Sequence, residues 1–287
     1  MEKVTVVFWD VQHGNAVYIR TPNNRHIVID LGTGSYGENN LEFSPLLYLK
    51  NRYGVTQLDY VIVTHPHLDH IDDILNFDKL SPKVLRRPKH LTKEEIMKDV
   101  REEGKPKFEK YFKINERYKY PVSPEDDPSN QDNYGGLIIK GFSPTKCSTS
   151  NINNHSLIEI ISFAGKKIVF TGDNEECSFN ELLDSSDFRE TIKNADILLA
   201  PHHGRKNGFH GEFVDLVNPK LTVISDGRFC DTSATDRYSQ KSRGMIVQKR
   251  NGNKEKRYCV TTRNDGVIVV EFGYDDDGSS FLSVKIG

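Results

Sequence analysis

The stretch Val63-Thr64-His65-Pro66-His67-Leu68-Asp69-His70 decides how this chain is read. Three histidines and an aspartate fall within six residues, directly after an apolar run at 58–63 that predicts a buried strand. In a turn after a strand, alternate side chains point to one side, so His65 and His67 can meet one metal ion. The tight turn that follows can aim Asp69 and His70 at a neighbouring site. Imidazole and carboxylate donors suit zinc, iron or manganese, and without thiolates a purely structural zinc site is not expected.

Two later clusters have the same form, polar residues at the end of an apolar run. Thr171-Gly172-Asp173 follows the run 167–170. A lone carboxylate there is ordinarily a turn residue, but beside the histidine cluster Asp173 is the natural bridging ligand, because a carboxylate has two oxygens to share. Pro201-His202-His203-Gly204 follows the run 197–200 and suggests one metal ligand and one supporting or acid–base residue. Asp226, after the run 221–224, is either a further candidate ligand or an ordinary turn aspartate. Asp10, His13 and Asn15, in the opening loop, either position Asp30 and the site or shape a structural turn.

Further out, strand patterns at 4–9, 16–20 and 26–30 are followed by a loop marked by Gly32, Gly34 and Gly37. Helical spacing at 43–53 places Ser44 at the N-cap and Pro45 at the first helical position. Strand signals resume at 137–139, 157–162 and 167–171, then a helix around 176–193, short strands at 197–199 and 221–224, and a turn at Asn264-Asp265-Gly266. Two βαβ-like halves, each ending its strands in His or Asp clusters, predict an α/β sandwich with its site along one strand-end edge. The expectation is a single domain over 1–287 with an insertion or lid at about 78–135. Within that insertion, 83–119 carries 13 lysines and arginines against seven acids. Thr92 and Glu95 form a capping-box pattern, and 121–133 is a polar, proline-rich loop. Tyr111, Phe112, Tyr118 and Tyr120 interleave with the lysines and can either stack bases or staple the insertion to the core. The stretch also offers a surface for a partner protein.

A net charge of −2 excludes a globally basic nucleic-acid binder. No apolar run is long enough for a membrane span or a signal segment, so the expected location is the cytoplasm. The four cysteines, Cys147, Cys177, Cys230 and Cys259, form no C-x-x-C pair and read as buried free thiols.

His65-Pro66-His67-Leu68-Asp69-His70 resembles the H-x-H-x-D-H signature of the metallo-β-lactamase superfamily, and the later TGD and HHG motifs follow its order. The opening, FWDVQHGNAVYIRTPNNRHIVIDLGTG, resembles the D-V-G-x-G-[DN]-[AS] start of the ComEC-like branch, the hydrolase domain of DNA-uptake competence proteins and related phosphodiesterases. NNHSLIEI and PHHG resemble that branch too. The likeness covers roughly 4–227 and is weak across 80–135. Gln12 stands where the branch has glycine, and the transmembrane channel of competence proteins is missing, so DNA translocation by this chain alone is not expected.

The resemblance implies an αββα sandwich with two divalent metal ions, zinc before manganese. It places His65, His67 and one of His202/His203 on the first ion, Asp69 and His70 on the second, and Asp173 between them. His202 is favoured as the ligand and His203 as the substrate-facing proton donor, with the reverse order open. His155, 18 residues before Asp173, is a further candidate ligand. Asp69 would both ligate and orient the attacking hydroxide. The activity implied is a metal-dependent phosphodiesterase or nuclease acting on a nucleic acid or nucleotide. An acyl, thioester or lactone hydrolase and a non-catalytic binding or signalling module are the alternatives; oligomeric state is left open.

Overall fold

Side chains along the strands alternate between two environments, and that alternation sets the layers. Val4, Val6 and Phe8 point inward with Ile27, Ile29, Tyr60 and Ile62, and they meet Ile168, Phe170, Ile197, Leu199, Leu221 and Val223 of a second sheet. The intervening residues Val7, Val28, Val61 and Val63 face outward, against Leu46, Leu49, Phe77, Phe108, Tyr111 and Ile114 of the helices on that side. On the other flank Ile160, Val169, Leu198 and Ile224 pack with Phe179, Phe188 and Phe213. Helices, sheet, sheet, helices: the protein has the αββα metallo-β-lactamase fold. The computed structural model describes residues 2–36, 41–227 and 233–287, so Gly37 and Cys230 lie outside the described residues.

Among these residues the first sheet has nine strands, ordered Lys254–Arg257, Met245–Lys249, Ser280–Ile286, Ile268–Tyr274, Glu2–Phe8, Val17–Arg20, His26–Ile29, Tyr60–Ile62 and Val84–Arg86. The second has six, ordered Cys259–Thr261, Leu221–Ile224, Ile197–Leu199, Lys166–Phe170, Ile158–Phe163 and Ile138–Phe142. Each sheet contains a parallel run: His26–Ile29 with Tyr60–Ile62 and Val84–Arg86 in one, and Lys166–Phe170 with Ile197–Leu199, Leu221–Ile224 and Cys259–Thr261 in the other. Parallel strands present their carboxyl ends together, so residues after each strand collect on one edge.

Local signals in the sequence are used as read at two helix starts. Ser44 Oγ accepts from Leu47 N at 3.1 Å ahead of Pro45–Arg52, with Pro45 at the first position. Thr92 Oγ1 accepts from Glu95 N at 3.2 Å while Glu95 Oε2 accepts from Thr92 N at 2.7 Å, a complete capping box. The helix expected over 176–193 is two, Glu176–Leu183 and Ser186–Ile192, because Ser185 caps the second with its hydroxyl on Phe188 N. The expected turn at Asn264-Asp265-Gly266 is the end of a short helix, Thr262–Asp265. Met245–Lys249, Lys254–Arg257 and Ser280–Ile286 were not expected as strands; Lys254-Glu255-Lys256-Arg257 has no apolar alternation because it forms a charged outer edge.

The stretch 78–135 is tied into the sandwich. Val84–Arg86 extends the sheet beside Tyr60–Ile62. Lys105–Arg117 buries Phe108, Tyr111 and Ile114, and Lys107 pairs with Asp72, Lys110 and Arg117 with Asp78. Part of the basic surplus is therefore neutralised by acids of the preceding turn. Tyr111 is buried in the core and Tyr118 donates its hydroxyl to Pro82 O, so these two staple; Tyr120 stays exposed.

Cys147 and Cys177 form a disulfide, which corrects the expectation of free thiols for that pair. Their spacing of 30 residues carries no motif, and only the fold brings them together. Such bonds are rare in a reducing cytosol, so this one counts against the cytoplasmic reading. Cys259 is a buried free thiol, its pKa pushed up to about 12 by burial. Cys147→Ser is expected to lower unfolding stability by about 2–4 kcal/mol in oxidising buffer and to leave it unchanged in excess reductant. Equal effects in both buffers, followed by chemical denaturation, would contradict the bond.

Candidate metal centre

Asp30 follows the His26–Ile29 strand with a left-handed backbone (φ 59°) and a fully buried carboxylate. Its Oδ1 accepts from Thr64 N at 2.7 Å, and its Oδ2 lies 2.9 Å from Asn15 Nδ2, 2.9 Å from Thr64 Oγ1 and 2.8 Å from His70 Nδ1. The opening loop, a strand end and the histidine turn are thereby fixed to one another, with Asn15 taking the first of the two roles that the sequence left open. Gly14 and Gln12 shape the opening loop. A β-carbon on Gly14 would sit 2.7 Å from Asp69 O. Gln12 occupies the left-handed region (φ 57°), where the related branch has glycine, and its side chain is tied to Asp10 Oδ1 at 3.1 Å.

Four histidines, His65, His70, His155 and His203, share one arrangement, and His202 differs in having its Nδ1 buried without a hydrogen-bond partner. His70 is held at Nδ1 by Asp30, and its Nε2 reaches Asp173 Oδ1 at 3.2 Å. His203 Nδ1 lies 3.0 Å from Ser225 O, and its Nε2 is 3.2 Å from Asp69 Oδ2 and 3.4 Å from Asp173 Oδ2. His202 Nδ1 is 3.0 Å from Glu175 Oε1, with Nε2 3.9 Å from Asp173 Oδ2. His65 meets Thr64 Oγ1 at Nδ1 and stands 4.0 Å from Asp173 Oδ2 at Nε2. His155 Nδ1 meets His90 Nε2 at 2.8 Å. The Nε2 atoms of His65, His70, His155 and His203 are buried with no hydrogen-bond partner. Outer nitrogens fixed and inner nitrogens unsatisfied is the pattern of imidazoles prepared for a metal.

The tightest group comprises Asp69, His70, Asp173 and His203, whose donor atoms all lie within 4.8 Å of one another. The expectation favoured His202 as the ligand with the reverse order open; in the structure His203 falls within this group, and His202 Nε2 stands 3.9 Å from Asp173 Oδ2. The structure also sets His203 on the Asp69/His70 side, not with His65 and His67. His67 is half-buried, its ring 4.5 Å from that of His65. His155 is drawn toward the site by its neighbours: Leu157 N donates to Thr64 O, and Ser156 Oγ accepts from Asp173 N at 3.0 Å. Asp226 stays outside the group, its Oδ2 3.7 Å from Arg263. Glu175, His90 and Ser225 were not anticipated. Glu175 could have been suspected from its place two residues after Asp173; His90 and Ser225 carry no signal in the sequence.

Backbone strain concentrates at the same edge. His202, His203 and Gly204 are consecutive left-handed residues (φ 49°, 53° and 70°), which costs of order 1–3 kcal/mol for each non-glycine. Gly172 (φ 54°) lets the chain pass where a β-carbon would stand 2.7 Å from Ser156 Cβ. Electrostatics reinforce the grouping. Burial opposes a charge on His203, but Asp173 and Asp69 outweigh it and hold the pKa up at about 10. Burial likewise opposes charge on His70, and Asp173 and Asp30 raise its pKa well above the usual value. For His65, burial and then the neighbouring His70 and His67 lower it, keeping the ring neutral.

A four-layer sandwich with imidazoles and carboxylates converging on its strand-end edge defines a metal-binding hydrolase. Residues 9–225 match the Metallo-beta-lactamase superfamily, and the chain belongs to it. It is 29% identical over 240 residues to ComE operon protein 3 of Bacillus subtilis, covering 76% of this chain and 28% of that protein. It is 26% identical over 220 residues to Recombination protein 2 of Haemophilus influenzae, covering 77% of this chain and 24% of that protein. The chain thus spans about a quarter of the length of these relatives. Among solved structures, a long form RNase Z from yeast aligns with a TM-score of 0.48 at 11% identity, over 93% of this chain and 41% of that one. Among the described residues no helix is long and apolar enough to cross a membrane.

Replacing Asp30 by Ala would leave Thr64, Asn15 and His70 with buried, unanswered donors. The expected loss is about 3–5 kcal/mol of stability, read by urea denaturation of the metal-free protein. A loss below about 1 kcal/mol would show that Asp30 does not organise this edge.

Proposed function

We propose that this chain is a metal-dependent phosphodiesterase acting on a nucleic-acid or nucleotide phosphodiester through two divalent ions, zinc before manganese. The observation that carries the hydrolytic reading is the set of buried Nε2 atoms turned toward Asp173 with no partner. Kinship with the ComE operon and recombination proteins supports the phosphodiester, the second being named for an operation on nucleic acid. His70, His203, Asp69 and Asp173 would hold one ion, and His65, His67 and His155 the other, with Asp173 shared. Bound there, divalent ions supply Lewis acidity toward phosphoryl oxygens and bring the pKa of water toward neutrality.

The chain's own groups divide the remaining work. Asp69 Oδ2 lies between His203 Nε2 and His13 Nε2, at 3.2 and 3.3 Å, on a side chain 24% exposed. It is placed to orient the attacking water and accept its proton. The water oxygen bonds to phosphorus as the phosphorus–oxygen bond of the leaving group breaks. The proton that Asp69 takes from the water then returns to the leaving oxygen, with His202 Nε2 at the border of the group, 3.9 Å from Asp173 Oδ2. A cavity of about 450 Å³ opens beside His67, walled by Leu68, Ile96, Val100, Phe108 and Ile152 together with the charged Glu95, Lys98, Asp99, Arg101 and Glu103, a seat of ligand size with both apolar and charged walls.

Ligation needs neutral imidazoles, whereas the carboxylates keep His203 protonated up to about 10. Metal affinity is therefore expected to rise with pH between 6.5 and about 10, with proton release seen as buffer-dependent heats in calorimetry. A flat affinity over that window would remove His203 from the ligand set. For activity, bis(p-nitrophenyl) phosphate hydrolysis with zinc or manganese should fall at least about 10³-fold in Asp69→Ala/His70→Ala. Turnover of lactones or thioesters with none of phosphodiesters would overturn the substrate class.

A further inference from the structure

Arg205 follows directly on the strained His202-His203-Gly204 run. Its backbone is pinned: N donates to His202 O at 2.9 Å, and the residue makes an isolated antiparallel bridge with Ser233. From there the guanidinium reaches over the centre. Nη1 lies 3.4 Å from His202 Nε2, and Nη2 lies 3.5 Å from His13 Nε2. Those two rings in turn face Asp173 Oδ2 at 3.9 Å and Asp69 Oδ2 at 3.3 Å. Arg205 Nε is buried and has no hydrogen-bond partner.

The other half-buried arginines have found acceptors. Arg25 pairs with Asp59 and Asp126, Arg86 with Glu159, and Arg257 with Glu255 and Asp265. Arg87 is spread over the carbonyls of Leu85, Asn115 and Tyr118. Among the described residues no carboxylate comes within 4.0 Å of Arg205; its fork meets only imidazole nitrogens, at the outer limit of hydrogen bonding. A guanidinium partly out of water and without an anion is unfavourable, and its planar donors suit two oxygens of one tetrahedral group. His13 and His202 stand between the guanidinium and the carboxylates of the centre, so an anion at the metal edge would meet Arg205 and His13 side by side.

We infer that Arg205, with His13 beside it, is a phosphoryl-oxygen subsite, in which the guanidinium takes the non-bridging oxygens of a substrate phosphodiester. The subsite rests on the phosphodiesterase reading and gives it a determinant of substrate charge: a monoanionic phosphodiester is favoured over a neutral ester. Arg205→Met and Arg205→Lys test it in the metal-loaded protein. The readouts are bis(p-nitrophenyl) phosphate kinetics, hydrolysis of neutral p-nitrophenyl acetate, metal content, and inorganic phosphate binding by calorimetry.

With metal content unchanged, Arg205→Met should raise KM and weaken phosphate binding by about 10–100-fold, spare any acetate hydrolysis, and be partly restored in Arg205→Lys. Wild-type phosphodiester turnover with KM and phosphate affinity untouched in Arg205→Met would overturn the subsite and leave the activity standing. Arg205-dependent phosphate binding in a wild type that cleaves no phosphodiester would do the reverse. Loss of metal in both variants would place Arg205 in the scaffold and overturn the subsite.

Discussion

The Asp30 carboxylate is the constraint on which the rest of this edge depends. It is fully buried, sits on a left-handed backbone, and receives hydrogen bonds from three chain segments. One buried anion could not persist there without those donors, and the donors could not be placed without the two sheets that bring them together. By holding His70 at Nδ1, Asp30 leaves Nε2 to face Asp173. The same logic recurs with different holders: Ser225 O for His203 and His90 for His155. A metal site is built by fixing what the imidazoles must not do.

Strain is stored where this construction needs it. The parallel strands Lys166–Phe170 and Ile197–Leu199 deliver Asp173 and the His202–His203 pair to the same place, but the turn after the second strand must fold back sharply to present both rings. Two left-handed histidines are the consequence, stabilised by well-packed strands below them. The carboxylates then compensate for crowded imidazoles, and the charges of Asp69 and Asp173 explain why His203 holds its proton so firmly without metal.

The layers were legible because the strands that carry them are apolar with period two: Val4, Val6 and Phe8 inward, Val7 and Trp9 outward. The candidate ligand types were legible because His65, His67, Asp69 and His70 are crowded into one turn. What stayed hidden depends on contacts between distant residues. His90 lies 65 positions from His155, and Cys147 lies 30 from Cys177; no local pattern announces either pair. Which of His202 and His203 lies nearer Asp69 depends on backbone conformation, which two identical side chains cannot encode. The charged strand Lys254–Arg257 was missed because an outer edge has no apolar face to advertise.

X-ray absorption at the metal edge of the purified protein tests the central claim most directly. The account predicts a shell of nitrogen and oxygen donors at about 2.0–2.2 Å with no sulfur near 2.3 Å, imidazole outer-shell scattering from several histidines, and a second metal at about 3.5–4 Å. A sulfur ligand, a shell without imidazole, or protein purified under non-chelating conditions that takes up no metal would contradict it.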